Sequence, residues 1–130
     1  MIGTEVSRAY YDPALNAAMG VFVGYLSPDE FKTIANELLK IQVTKKVNKQ
    51  INNVKQMKVL KQEVQVWLND VWFPQAQKNG LKYFAFVLAD DIFGKLSTEG
   101  ANKDASNKFG MEIQNFNTLE DAKQWLNTKR

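Results

Sequence analysis

Apolar side chains recur along this chain at two spacings, and the alternation between them sets out the fold. Glu5–Tyr11 alternates, with Val6, Arg8 and Tyr10 on one side and Ser7, Ala9 and Tyr11 on the other, the period of a strand. Asp12-Pro13 then marks a turn. Leu15–Leu26, centred on Val21-Phe22-Val23, predicts a longer strand, with Gly20 and Gly24 marking a bulge or a close backbone approach. The short connection makes these two an antiparallel hairpin. In Ser27-Pro28-Asp29-Glu30 the period changes. Ser27 is placed to cap a helix, Pro28 fits its first position and Glu30 completes a capping box. Phe31, Ile34, Ala35, Leu38 and Leu39 follow at helical spacing and carry the helix to about Ile41.

Val47–Asn53 is a weaker strand, anchored by Val47 and Ile51. Leu60, Val64, Trp67, Leu68 and Val71 form one face of a second helix, which Pro74 should end or kink because it lacks an amide donor. After Gly80, the run Leu81–Leu88 is almost continuously apolar, the signature of a parallel strand covered on both faces. Asp90 or Asp91 is placed to cap a short helix holding Ile92, Phe93 and Leu96. Ser97–Phe109 is polar and reads as a partly helical excursion. Met111–Phe116 alternates as a last strand. Thr118 caps a final helix, with Asp121 at the capping-box position and Leu119, Ala122, Trp125 and Leu126 inside. The order β-β-α-β-α-β-α-β-α predicts an α/β domain spanning residues 1–130, a mixed sheet of about five strands with an N-terminal hairpin and right-handed crossover helices.

Composition narrows the chemistry. None of the 130 residues is histidine or cysteine. That excludes Ser-His-Asp and Cys-His catalysis and a zinc site of ordinary composition. Carboxylates, lysines and tyrosines remain, but no pair of them stands out. Asp90-Asp91 lacks a third acid for a hard cation and fits capping better. Glu63 and Asp70 lie two helical turns apart and fit solvated helix charges. The expectation is no catalytic residue, no metal and no cofactor. The N-terminus has neither a basic nor an apolar signal region, and no apolar run approaches the roughly 20 residues of a membrane span, so a cytoplasmic, soluble protein is expected.

The net charge of +3 conceals an asymmetry: Lys40–Lys61 holds seven lysines and no acid, whereas the rest carries ten basic and fourteen acidic residues, a net of −4. Such a stretch attracts anions. It has no arginine and no interleaved aromatic residue, so no nucleic-acid partner is expected.

The stretches 10–16, 24–31, 66–76, 80–88 and 116–126 (YYDPALN, GYLSPDEF, VWLNDVWFPQA, GLKYFAFVL and FNTLEDAKQWL) together resemble the SpoIIAA-like branch of the STAS family. The resemblance implies a STAS (SpoIIAA-like) fold and a bacterial regulatory domain that binds other proteins. It also implies a Ser or Thr, phosphorylated as a switch, just after the strand equivalent to 47–53. This sequence departs from that pattern. Residues 52–58 read Asn-Asn-Val-Lys-Gln-Met-Lys, with no Ser or Thr between Thr44 and Ser97, and Asn52 stands where relatives carry Asp. The broader fold group includes lipid-binding relatives, which keeps an apolar ligand in view.

Two readings follow. In the first, the chain is a non-catalytic interaction domain with a protein partner, a homodimer being one form of it. In the second, it binds a small apolar or lipid ligand between helix and sheet. The candidate residues are Asn52, Asn53 and Lys55, on a loop (52–55) expected after a parallel strand, with Lys58 near it, and Trp72 and Phe73 beside Pro74. An exposed aromatic patch at Trp72 and Phe73 would mark a partner surface; packing over the helix end is the simpler role. Trp67 and Trp125 are expected in the core.

Overall fold

The structure, a computed structural model, describes residues 2–3, 7–58, 60–90 and 110–129. The helix expected at Ile92, Phe93 and Leu96 and the polar excursion 97–109 lie outside the described residues. The strands form one six-stranded sheet in sequential order: β1 (Ile2–Gly3), β2 (Arg8–Asp12), β3 (Ala17–Gly24), β4 (Lys49–Met57), β5 (Tyr83–Val87) and β6 (Glu112–Phe116). β1, β2 and β3 pair antiparallel; β3 to β6 pair parallel. The α/β class, the mixed sheet and the N-terminal hairpin therefore stand, with the two-residue β1 added at the edge.

On one face lie α1 (Pro28–Thr44), α2 (Gln62–Trp67) and α3 (Phe73–Lys78); on the other lies α4 (Leu119–Asn127). Because side chains alternate along a strand, β5 feeds both layers. Phe84 packs beneath α1 and α3, while Ala85 and Val87 pack beneath α4, all three essentially buried. A strand covered on both sides needs apolar residues at every position, which is why Leu81–Leu88 is so uniform.

The capping box forms as its residues dictate. Ser27 Oγ accepts from the Glu30 backbone N–H at 3.1 Å, and a Glu30 carboxylate oxygen accepts from the Ser27 N–H at 3.0 Å. At the other end α1 outruns its expected limit by three residues, closing where the Lys45 N–H bonds the Ile41 carbonyl.

Two expectations are corrected. β4 does not end at Asn53. Between Val21 and Val23 of β3 it takes in one extra residue, so that Asn53 pairs with Val21 and Gln56 with Val23. This bulge, steadied by the Lys55 N–H donating to Asn53 Oδ1 at 3.2 Å, brings Gln56 and Met57 back into the ladder. The supposed loop 52–55 is thus strand, and polar Lys-Gln gave no alternation to reveal it. Nor does Pro74 end the second helix. α2 passes through a π turn (Leu68–Trp72) into α3, which carries the proline in its first turn. The wider turn absorbs the donor that proline lacks.

The π turn also resets the helix face. Val64, Trp72 and Ala76 are buried and Leu68 is half-buried, a steady spacing of four that an α-helix would not hold. Val71, expected inside, is half exposed, and Trp72, considered for the surface, is 1% exposed. Trp67 and Trp125, expected in the core, are only half-buried.

Gly20 shows why β3 carries a glycine in mid-strand. A Cβ there would lie 2.9 Å from Asn52 Oδ1 and 3.0 Å from side-chain atoms of both Leu38 and Phe22. Gly20→Ala should therefore destabilise the fold by about 1–3 kcal/mol, measured by chemical denaturation. A second expectation concerns acid. The Ser27 backbone N–H, and then its side chain, hold the Glu30 carboxyl below its ordinary value of 4.5. A lowered acid stabilises the fold above that value and loses the effect as pH falls below it. Glu30→Gln, which can keep the cap, should flatten this part of the acid limb in pH-dependent melting curves.

Candidate ligand cavity

Beneath α1 and the α2–α3 segment the sheet does not fill its helical layer, and a cavity of about 330 Å³ remains. Its aromatic walls are Phe31 from α1, Trp72 and Phe73 around the π turn, and Phe84 and Phe86 from β5. Phe84 and Phe86 stack with ring centroids 4.4 Å apart, and the Trp72 ring is tilted against Phe84 at 5.5 Å. Ala35, Val54, Met57, Leu60 and Leu68 supply aliphatic wall, and Leu88 and Ala89 close the end beyond β5. The polar lining is Asn52 and Lys58.

Trp72 fixes this architecture. Its indole N–H donates to the Ala35 carbonyl of α1 at 2.7 Å, in a buried setting. A buried indole needs such a partner, and this one ties the π turn to the neighbouring helix. At the end of α3, Asn79 Nδ2 donates to the Leu39 carbonyl at 3.3 Å, a second tie to α1.

The sequence candidates divide between the two faces of the sheet. Asn52, Lys58, Trp72 and Phe73 line the same cavity. Asn53 and Lys55 line a separate recess of about 150 Å³ with Val21 and Val23. Lys55 Nζ donates to the Asn117 carbonyl and lies 3.7 Å from the Asp90 carboxylate, so its charge is already engaged. The lysine-rich stretch does not form one surface either. Lys45, Lys46 and Lys49 gather at the start of β4, while Lys55, Lys58 and Lys61 lie at or beyond its bulge. Six strand residues, about 20 Å, separate Lys49 from Lys55. With Trp72 buried, the exposed aromatic patch considered for a partner or homodimer is not formed there.

Most of the cavity residues gave no functional signal. Phe31, Ala35, Phe84 and Leu68 sit at ordinary core positions of their elements, and periodicity does not distinguish a filled core from one with a space in it.

Among the described residues no cluster of three carboxylates could hold a metal ion, and no helix is long and apolar enough to cross a membrane. No family model, curated protein or solved structure matches the chain.

Trp72→Phe removes the indole donor and part of a fully buried ring. It should cost about 2–4 kcal/mol in denaturant unfolding.

Proposed function

We propose that the protein is a non-catalytic, SpoIIAA-like binding module that takes a small, mainly apolar molecule into the cavity between β4–β5 and the α1–α3 layer. The cavity carries this reading. Its volume lies at the lower end of the range of small-molecule sites, and its mainly hydrophobic and aromatic lining with few polar groups is their usual composition. Empty apolar space of this size weakens packing, because the lining forfeits contacts it would otherwise make. A bound apolar molecule restores them.

The SpoIIAA-like assignment is part of the same proposal. The element order that carried the resemblance, and a sheet that advances one strand with each parallel crossover, support it. Without a Ser or Thr between Thr44 and Ser97, regulation by phosphorylation at the family's position has no acceptor in this stretch. Occupancy of the cavity supplies another way to alter the helical layer that a partner would meet.

The test uses N-phenyl-1-naphthylamine, a neutral apolar fluorophore. Its emission should rise on binding, saturating at one probe per chain. Val54→Phe, which places a ring in the cavity from a half-buried strand position, should weaken binding by about tenfold or more without lowering the melting temperature. No saturable binding, or equal binding by a folded Val54→Phe protein, would overturn the proposal.

A further inference from the structure

Three carboxamides lie buried between α1 and β4: Gln42 and Gln50, both fully buried, and Asn52, 9% exposed, which lines the cavity. They bond in series. Gln42 Nε2 donates to Gln50 Oε1 at 2.6 Å, and Gln50 Nε2 donates to Asn52 Oδ1 at 2.9 Å. At the outer end Asn79 Nδ2 donates to Gln42 Oε1 at 3.1 Å.

A chain of amides reads equally well in either direction unless something anchors it. Here the anchor is the Leu39 backbone carbonyl, which only accepts. It lies 3.3 Å from the Asn79 side-chain atom that also meets Gln42, so that atom is the nitrogen. Asn79 Oδ1, correspondingly, accepts from Gln75 at 3.1 Å. Gln42 must then turn its oxygen to Asn79 and its nitrogen to Gln50, and Gln50 its nitrogen to Asn52. Every donor in the series points toward the cavity. The last one, Asn52 Nδ2, makes no hydrogen bond to the described residues, although the residue is more than nine-tenths buried and lines the cavity.

A buried donor without an acceptor is costly, and native structures rarely leave one. Resting on the binding role proposed above, we infer that the ligand carries a neutral hydrogen-bond acceptor, a carbonyl oxygen, which receives the Asn52 side-chain N–H. A carboxylate is disfavoured at this end. Lys58, the cation among the lining residues, lies six residues further along the chain, beyond the end of β4, roughly 20 Å of extended strand from Asn52 and so not placed to offset a buried charge there. The aromatic walls on Trp72, Phe84 and Phe86 suit a flat body attached to that carbonyl.

A matched pair of probes tests this on the unaltered protein: 2-acetylnaphthalene and 2-ethylnaphthalene, which share a ring system and differ at the carbonyl. After the affinities are corrected for partition from water, the ketone should bind about tenfold or more tightly. In ¹⁵N NMR spectra it should shift the Asn52 side-chain NH₂ signals where the hydrocarbon does not. Asn52→Asp, which keeps an oxygen for Gln50 but removes the donor, should abolish the preference. Equal corrected affinities, or ketone binding that leaves the Asn52 NH₂ signals unmoved, would overturn the carbonyl inference and leave the apolar-ligand proposal intact. Failure of both naphthalenes to bind would overturn both.

Discussion

A carboxamide withdrawn from water must find partners, and the layer between α1 and β4 is organised around that demand. Gln42, Gln50 and Asn52 bond to one another in sequence, Asn79 supplies the outermost donor from the end of α3, and the Asn52 side-chain N–H is left over at the cavity. The series links three elements that meet across the core: the helix that carries Gln42, the strand that carries Gln50 and Asn52, and the segment after the π turn that ends at Asn79. Polar contacts of this kind add modest net stability, but they penalise every packing in which a member is left alone. They therefore fix how α1 sits over β4 more sharply than the surrounding leucines and phenylalanines do.

The cavity is the counterpart of this arrangement. With Trp72 tied to the Ala35 carbonyl and Asn79 tied to the Leu39 carbonyl, the α2–α3 segment is held at two points along α1. The π turn lets the segment pass Pro74 while keeping Val64, Trp72 and Ala76 inward. Held in this way, the segment meets Phe84 through the Trp72 and Phe73 rings, and a space lined by these rings and Phe86 is kept.

Where one local rule governed an element, the sequence showed it plainly. Ser27, Pro28 and Glu30 announce the start of α1, and Leu81–Leu88 announces a strand buried on both faces. Three features were hidden because each depends on an exception to regular period. The bulge in β4 falls at Val54-Lys55, between polar Asn53 and Gln56, with no alternation to break. The π turn shifts the inward position from Val71 to Trp72, which a count of 3.6 residues per turn does not anticipate. The direction of the amide series depends on Leu39 and Asn79, forty residues apart, meeting in space. The candidate residues fared accordingly. Asn52, Lys58, Trp72 and Phe73 converge on the cavity, but for reasons of packing rather than the loop chemistry that first drew notice to Asn52.

Gly20 and Asn52 face each other across the β3–β4 pairing, and the absent side chain of one is the room occupied by the other. Descendants of this sequence are consequently not free to drift at the two positions separately. A lineage that acquires a methyl group at 20 must shorten or lose the amide at 52, and one that loses the amide strands Gln50 unless that residue becomes apolar as well. Positions 20, 50 and 52 should covary as a set among relatives, so that the fossil of the polar series stays visible even where the series itself has gone.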